Sequence, residues 1–448
     1  MESPSSVSRE EPKESGAGFI EFEGDISEDI DIPNDSRIMI VSRHQSYLTH
    51  GIHKFPAKFF PELPRYLIRR YSERGGVVLD PMCGSGTAVL EALLNDREVI
   101  GIDIDPLARL ITKVKTTPIP AKPLRSATDL LLVEIARRVD CGQKPNLPVF
   151  NYRDNWFRDF VLSELATILE CINEKDLWSV ENFSSRTSVQ DVHDFFRVAF
   201  SSIIRSVSNA DPHCTRTVIR KRLTKTISPG DVVRRFAETL SQQVLSLADF
   251  NSVYSTLNVR HVELPKTDAL HTGLEDGSVD LAITSPPYIN AVDYPRTHQL
   301  ELYWLGLLTA PLSAMKREYI GTETVYKSEY SELKSSGMHS LDPVLRAIFD
   351  RDPRRSYITY RFFEDMTAQL REVSRVLRSG GRYCIAIGNN QIRGVEVPSH
   401  EILAEIAASS RVGFELERRF FSGLIRHFIR IPRKERMQGE WVLVLRKP

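Results

Sequence analysis

The segment Thr284-Ser285-Pro286-Pro287-Tyr288 directly follows an apolar run, residues 279–283, that has the pattern of a buried strand. Two successive prolines remove two backbone donors and fix φ, so the chain is expected to leave this strand rigidly. The Ser285 hydroxyl and the carbonyls of Ser285 and Pro286 then face outward as hydrogen-bond acceptors. Acceptors aimed at both hydrogens of an amino group favour a pyramidal nitrogen whose lone pair can attack an electrophilic carbon. With Tyr288 as a stacking face, the motif predicts chemistry on a ring-bound amine.

A second motif, Asp80-Pro81-Met82-Cys83-Gly84-Ser85-Gly86-Thr87, joins an apolar run to a stretch with helical patterning. Its glycines let the backbone approach a ligand, and the helix that follows presents free N–H groups. Asp103 ends the next apolar run, about twenty residues on, where an acid accepts hydrogen bonds from ribose hydroxyls. Asp105 is a weaker candidate, and for both acids capping of the helix at Pro106 is an alternative. Without the Gly-Lys-Ser/Thr of a P-loop or a third glycine, the motifs predict a nucleoside site that lacks a phosphate cradle.

Both motifs need strands that end at the same edge of a sheet. Strand, glycine turn, helix and strand in succession predict a βαβ unit, and hence a parallel sheet with helices on its faces. The last two predicted strands are expected to be antiparallel, since a short irregular link joins them. The predicted strands are 77–80, 99–103, 259–264, 279–283, 382–387, 414–421 and 441–445. The sequence thus predicts an α/β fold with a mostly parallel seven-stranded sheet.

The chain divides into three kinds of segment. Residues 1–36 are rich in Ser, Pro, Gly and acids, which predicts a disordered acidic tail. Residues 37–115 and 256–448 carry the motifs and form the predicted catalytic domain. Residues 116–255 show mostly helical patterning and are expected to form an inserted helical lobe that contributes to recognition of a partner.

Composition narrows the class of protein. The 448 residues are 41% hydrophobic and 26% charged, and their length suits one large α/β domain with a second lobe. No apolar run is long enough for a membrane helix and no secretory signal is visible, so a cytoplasmic location without membrane contact is expected. The five cysteines are scattered without CxxC spacing, which predicts reduced thiols and no metal site.

The formal net charge of zero hides an uneven distribution of charged residues along the chain. The first 36 residues contain eleven acids and two basic residues, so the remainder of the chain is net basic. A basic body is compatible with a polyanionic partner.

The two motifs together resemble the cofactor and catalytic motifs of the DNA amino-methyltransferases of restriction-modification systems, which methylate N4 of cytosine or N6 of adenine. The segment His53-Lys54-Phe55-Pro56-Ala57-Lys58-Phe59-Phe60-Pro61, Asp268-Ala269-Leu270 and the turn Gly380-Gly381 extend the likeness. It covers roughly 50–115 and 258–448 and leaves the helical lobe unmatched. The long insertion before the third strand departs from the commonest layouts of the family, so the resemblance does not assign the region that reads the target sequence.

The resemblance implies an S-adenosylmethionine-dependent methyltransferase fold, which is Rossmann-like, and S-adenosylmethionine as cofactor. It implies that the catalytic residues are Ser285, Pro286, Pro287 and Tyr288. The residues that it implies for cofactor binding are Lys58, Phe59, Asp80, Pro81, Cys83, Gly84, Ser85, Gly86, Thr87, Asp103, Asp268, Ala269 and Thr284.

The implied reaction is methyl transfer to an exocyclic amine of double-stranded DNA, with base flipping and, in such systems, a companion restriction endonuclease. The serine at 285 favours N4 of cytosine, because N6-adenine enzymes more often have Asp or Asn there. N6-adenine methylation remains an alternative, as does a catalytically silent DNA-binding or specificity subunit. Methylation at C5 of cytosine is excluded, since it needs a cysteine that follows a proline and none of the five does.

Residues in two segments are candidates for DNA contact. Those from the helical lobe are Arg216, Arg220, Lys221, Arg222 and Lys225, and those that follow the catalytic motif are Tyr294, Arg296 and His298. For the first group a solvated helix face is an equal alternative, and Tyr294 and His298 are equally suited to packing.

Overall fold

The computed structural model describes residues 13–14, 18–42, 44–179, 188–220, 225–289, 292–423 and 439–448. Two predicted DNA contacts, Lys221 and Arg222, lie outside these residues. The strands are β1 Lys13–Glu14, β2 Ile20–Glu23, β3 Arg37–Val41, β4 Val77–Asp80, β5 Glu98–Gly101, β6 Val262–Glu263, β7 Val279–Thr284, β8 Leu377–Ile387, β9 Asn390–Ile392, β10 Val395–Val397, β11 Glu415–Gly423 and β12 Gly439–Arg446. The helices are α1 Glu62–Tyr71, α2 Thr87–Leu94, α3 Pro106–Thr116, α4 Ala121–Asp140, α5 Arg153–Trp156, α6 Asp159–Asn173, α7 Val189–Val207, α8 Asp231–Tyr254, α9 Tyr294–Thr297, α10 Gln299–Trp304, α11 Leu312–Glu318, α12 Asp342–Phe349, α13 Pro353–Val376 and α14 Ser399–Ala408.

One large sheet organises the molecule, with strand order β1-β2-β3-β11-β12-β8-β7-β4-β5-β6 among the described residues. Strands β6, β5, β4, β7 and β8 are parallel, and β12 runs antiparallel to both of its neighbours. All seven strands predicted from the sequence are present. The predicted total of seven is nevertheless wrong, because β1 to β3 extend the sheet to ten.

The order of the central strands reverses between β4 and β7. The chain moves outward from β4 to β5 and β6, then returns to β7 on the other side of β4, where Val78 pairs with Leu281 and Leu79 with Ala282. A reversal of this kind leaves a crevice outside the carboxyl ends of the two strands, and ligands of open α/β sheets bind there. Both sequence motifs begin at this crevice, one after each strand.

The predicted disordered tail is wrong for residues 18–36. Strand β2 pairs in parallel with β3, and Phe22, Ile26 and Ile32 are buried in the main core. The Tyr66 hydroxyl donates a hydrogen bond to the carbonyl of Ile30 at 2.9 Å. The prediction failed because these apolar residues are widely spaced among acids, so their burial depends on a surface that distant parts of the chain supply.

Residues 121–254, where the sequence predicts a helical lobe, contain α4 to α8. Helix α7 is buried along most of its length and begins with a capping box between Ser188 and Asp191. The Lys113 ammonium on α3 pairs with Asp194 of α7 at 2.7 Å, which attaches the lobe to the βαβ unit. Within the described ranges, no helix combines the length and apolar character of a membrane span.

The packing of the N-terminal segment predicts that Ile26→Ala destabilises the protein by about 2–5 kcal/mol, because it removes a fully buried side chain and leaves a cavity. Urea unfolding monitored by circular dichroism measures the change. The matched control is Ile219→Ala, since Ile219 is 43% exposed and its truncation is expected to change stability by less than about 0.5 kcal/mol. Equal unfolding midpoints for parent and Ile26→Ala would show that this segment does not pack as described.

Candidate active site

A cavity of ≈ 270 Å³ opens at the carboxyl ends of β4 and β7. The glycine turn, the end of β5 and the loop after β7 form its walls, together with three segments from elsewhere in the chain, 55–59, 268–270 and 318–320. Its lining includes Phe55, Ala57, Lys58, Phe59, Asp80, Pro81, Met82, Cys83, Gly84, Ser85, Thr87, Ala88, Asp103, Ile104, Asp105, Asp268, Ala269, Leu270, Ser285, Pro287, Tyr294, Glu318, Tyr319 and Ile320. Eleven of the thirteen residues predicted to bind the cofactor are among these, as are Ser285 and Pro287.

Asp103 fixes the glycine turn. Its carboxylate accepts hydrogen bonds from the backbone N–H of Gly84 at 2.7 Å and of Asp105 at 2.8 Å. Gly86 begins α2 with φ +74° and faces α3, where a Cβ would lie 2.6 Å from Thr112. Gly86 therefore allows the turn to pack closely against α3, and it does not line the cavity.

Three carboxylates lie on the cavity floor. Burial raises the pKa of Asp80 to about 7, although a hydrogen bond from the N–H of Met82 opposes the rise. Burial and the adjacent Asp105 raise the pKa of Asp103 to about 7. Asp105 caps α3 through one oxygen, which accepts from Leu107 at 2.8 Å, and burial raises its pKa as well. The floor is thus suited to a ligand that brings positive charge or hydroxyl donors.

Part of the predicted catalytic loop, residues 284–288, faces this floor. Ser285 and Pro287 line the cavity, whereas Pro286 is buried beneath it. The Tyr288 side chain is half-buried outside the cavity lining, and its hydroxyl hydrogen-bonds to the carboxylate of Glu440. Thr284 is fully buried at the end of β7, so it supports the loop from below.

Two further segments contribute predicted cofactor-binding residues to the site, Lys58 and Phe59 from one and Asp268 and Ala269 from the other. The Lys58 ammonium donates to the carbonyl of His50 at 2.7 Å, which braces the segment before α1 against the cavity. The Asp268 carboxylate accepts a hydrogen bond from the backbone N–H of Leu270 at 2.7 Å, which stabilises a turn there. Ala269 lies in this turn and lines the cavity.

Sequence reasoning missed several residues of the cavity wall. Glu318, Tyr319 and Ile320 line it from the end of α11 and the two residues that follow, where the sequence carries no motif. Phe55 stacks against Tyr294 with ring centroids 5.6 Å apart, so two aromatic rings from distant segments meet at one wall. The segment 53–61, which extends the family resemblance, contains Phe55 and is the signal in the sequence that points to this wall.

The predicted DNA contacts from the helical lobe have mixed surroundings. Arg216 lies 3.7 Å from Glu323, and Arg220 pairs with Asp211 at 2.9 Å while its side chain remains 67% exposed. The Lys225 ammonium is half-buried and donates to the carbonyls of Arg205 and Ser208, each at 2.9 Å. We therefore correct the prediction for Lys225: it closes a loop of the lobe and does not face outward.

The three predicted DNA contacts after the catalytic loop also differ in their surroundings. Tyr294 lines the cavity, Arg296 is exposed, and His298 is buried with its ring stacked on Phe55 at 4.9 Å. Burial lowers the pKa of His298 to about 3, so the ring is neutral and packs as an aromatic side chain. The packing alternative for His298 thus fits the structure, and the predicted DNA contact does not.

Several known proteins are similar to this chain. A family model described as "DNA methylase" matches residues 28–113. Type II methyltransferase M.MvaI of Kocuria varians is 26% identical over 83% of this chain and 84% of its own, and M.AvaI of Nostoc sp. is 24% identical over 82% and 79%. Among solved structures, TTHA0409 of Thermus thermophilus complexed with S-adenosyl-L-methionine is 19% identical over 41% of this chain and 54% of its own, with a TM-score of 0.22.

The mostly parallel sheet, the reversal of its strand order and the cavity at that crevice give the chain the α/β fold of S-adenosylmethionine-dependent methyltransferases. Within that class, the comparisons support a DNA amino-methyltransferase of the restriction-modification type, since residues 28–113 match the DNA methylase model and most of the chain is similar to type II methyltransferases.

The cavity fits S-adenosylmethionine. The hydroxyl of Thr87 is buried beside it and has no hydrogen-bond partner among the described residues. Buried polar groups are seldom left unpaired, so this hydroxyl is suited to a ligand that completes its hydrogen bonds. The three floor carboxylates match the ribose hydroxyls and the positive charge of this cofactor.

The raised pKa of Asp103 predicts a pH-dependent role in cofactor binding. Below about pH 7 its carboxyl is largely protonated, so the ionised acceptor for ribose hydroxyls is fully present only at higher pH. We expect Asp103→Asn to weaken S-adenosylmethionine binding about tenfold at about pH 8 and much less at about pH 6, measured by calorimetric titration. Asp129→Asn on the exposed face of α4 is the control, and an equal loss at both pH values would contradict the prediction.

Proposed function

We propose that the chain is a site-specific DNA methyltransferase that transfers a methyl group from S-adenosylmethionine to N4 of cytosine in duplex DNA. The observation that carries the proposal is that Gly84 of the glycine turn and Ser285 of the catalytic loop line one cavity. Methyl donor and amine then meet at the carboxyl ends of neighbouring strands. A DNA-binding or specificity subunit would need neither half of this arrangement.

The chain's own residues supply positioning and electrostatics. Asp103 and Asp80 hold the floor on which the cofactor would lie, and the bound cofactor supplies an electrophilic methyl group on its sulfonium. The Ser285 hydroxyl and the Pro286 carbonyl accept hydrogen bonds from the amine, which directs its lone pair to the methyl group. Such positioning provides most of the acceleration when the leaving group is already good.

The serine at 285 supports cytosine as the target base, because the family's Ser-Pro-Pro-Tyr loops are typical of N4-cytosine enzymes. A base in duplex DNA must leave the stack to reach this cavity. The Phe55 and Tyr294 rings at the wall offer an apolar surface beside the loop. N6-adenine methylation would use the same fold, so product analysis decides between the two bases.

The DNA is proposed to lie across the cavity mouth and the helical lobe. Arg216 borders a small second cavity together with Asp293 and Tyr294, and Tyr294 also lines the main cavity. Arg220 and Arg296 add positive charge with exposed side chains. These residues are suited to phosphate contacts, which fix the register of a duplex without reading its sequence.

The test of the proposal is the identity of the modified base. We expect genomic DNA from a host that expresses the protein to contain N4-methylcytosine within one short recognition sequence, detected by mass spectrometry of nucleosides and by sequencing that records modified bases. N6-methyladenine would refute the choice of base, and unmodified DNA together with undetectable cofactor binding would refute the enzyme.

Ser285→Ala is expected to lower kcat about a hundredfold or more, because it removes an acceptor aimed at the reacting amine, while cofactor affinity stays at the parent value. Tyr288→Ala should have a similar effect. Transfer of a labelled methyl group to DNA measures the rate. Ser278→Ala, at the exposed opposite end of β7, is the matched control and should methylate at the parent rate. Parent activity in Ser285→Ala would remove the loop from the mechanism.

A further inference from the structure

Glu440 contacts the catalytic loop from a strand on which the sequence motifs place no functional residue. It is the second residue of β12, and its carboxylate accepts a hydrogen bond from the Tyr288 hydroxyl across 152 positions of sequence. Among the described residues, the Glu440 carboxylate forms no other hydrogen bond. We propose that Glu440 is a positioning residue for methyl transfer, which holds the Tyr288 ring in the orientation that the reaction needs.

The topology of the sheet explains how Glu440 reaches the site. Strand β12 is antiparallel to β8, with Trp441 opposite Ile387, so its first residues lie at the edge where β7 and β8 end. Tyr288 follows β7 at the same edge. The hydrogen bond therefore joins the loop after β7 to the start of β12, across β8.

The backbone that carries Glu440 is closely fixed. Gly439 pairs with Gly423 of β11, and a Cβ at 439 would overlap the carbonyl oxygen of Ser422. Such close approach leaves little freedom for the strand at this point. The Glu440 carboxylate is consequently held at a defined position relative to the loop.

The chemistry of the pair suits a fixed acceptor. Burial raises the pKa of Glu440, and the hydrogen bond from Tyr288 opposes the rise. Burial and the neighbouring carboxylate raise the pKa of Tyr288 well above its ordinary value, so the phenol keeps its proton and acts as the donor. With the hydroxyl occupied by Glu440, the ring face is the part of Tyr288 that is available to a base.

Four variants test the proposal: Glu440→Ala, Glu440→Gln, Tyr288→Phe and the double variant Tyr288→Phe/Glu440→Ala. We expect Glu440→Ala and Tyr288→Phe each to lower kcat about tenfold, since each removes the same charge-assisted hydrogen bond. The double variant should lose no more than either single variant. Glu440→Gln should keep most of the activity, because its amide oxygen accepts the same hydrogen bond.

Rates come from transfer of a labelled methyl group to unmodified genomic DNA, and cofactor affinity and the unfolding midpoint of each variant are measured beside them. A positioning role leaves both of these unchanged in Glu440→Ala. The matched control is Glu415→Ala, an exposed glutamate on the neighbouring strand β11. Multiplied losses in the double variant, loss in Glu440→Gln equal to that in Glu440→Ala, or parent activity in Glu440→Ala would each overturn the proposal.

This inference rests on the proposed function only in requiring that the parent protein methylate DNA. If the parent produces N6-methyladenine, the choice of cytosine fails and the variants still test Glu440. If the parent produces N4-methylcytosine and the variants behave independently, the proposed function stands and the role of Glu440 fails.

Discussion

The pairing of β4 with β7 is the constraint on which the rest of the site depends. These strands are neighbours in the middle of the sheet, although they are far apart in the sequence. From β4 the chain continues to β5 on one side, and from β7 it continues to β8 on the other. Backbone cannot close the crevice between their carboxyl ends, because each exit turns away from the other. A glycine turn after β4 and a double-proline loop after β7 therefore face a common space, and a register shift of either strand would separate them.

The electrostatics of the cavity follow from that arrangement. Strand ends bring Asp80 and Asp103 to the floor, and helix α3 adds its capping residue Asp105. Because burial penalises the charged forms, their pKa values rise, and a ligand that supplies positive charge or hydroxyl donors recovers that cost. The same floor would repel a phosphate, which agrees with the absence of a P-loop pattern in the sequence.

The outer elements support this centre. The N-terminal strands extend the sheet beyond β11, and the helical lobe attaches to α3 through packing and the Lys113–Asp194 ion pair. Both regions join the main core with the βαβ unit. The turn itself is held by neighbouring residues of the chain after β5: the Asp103 carboxylate accepts a hydrogen bond from the Gly84 N–H, and the Thr112 hydroxyl donates one to the Gly84 carbonyl.

The sequence alone determined the parts of the protein that are local in the chain. The βαβ unit, the glycine turn, Asp103 and the loop at 284–288 all have short-range patterns, because strand ends, tight turns and proline pairs impose their constraints within a few residues. Only the tertiary structure decided which other segments complete the site. Tyr319 and Glu440 lie in segments without a motif. Tyr319 lines the cavity, whereas Glu440 contacts the catalytic loop because β12 runs antiparallel to β8. The burial of Ile26 and the inward turn of Lys225 were likewise decided by surfaces that remote residues build, which no local pattern encodes.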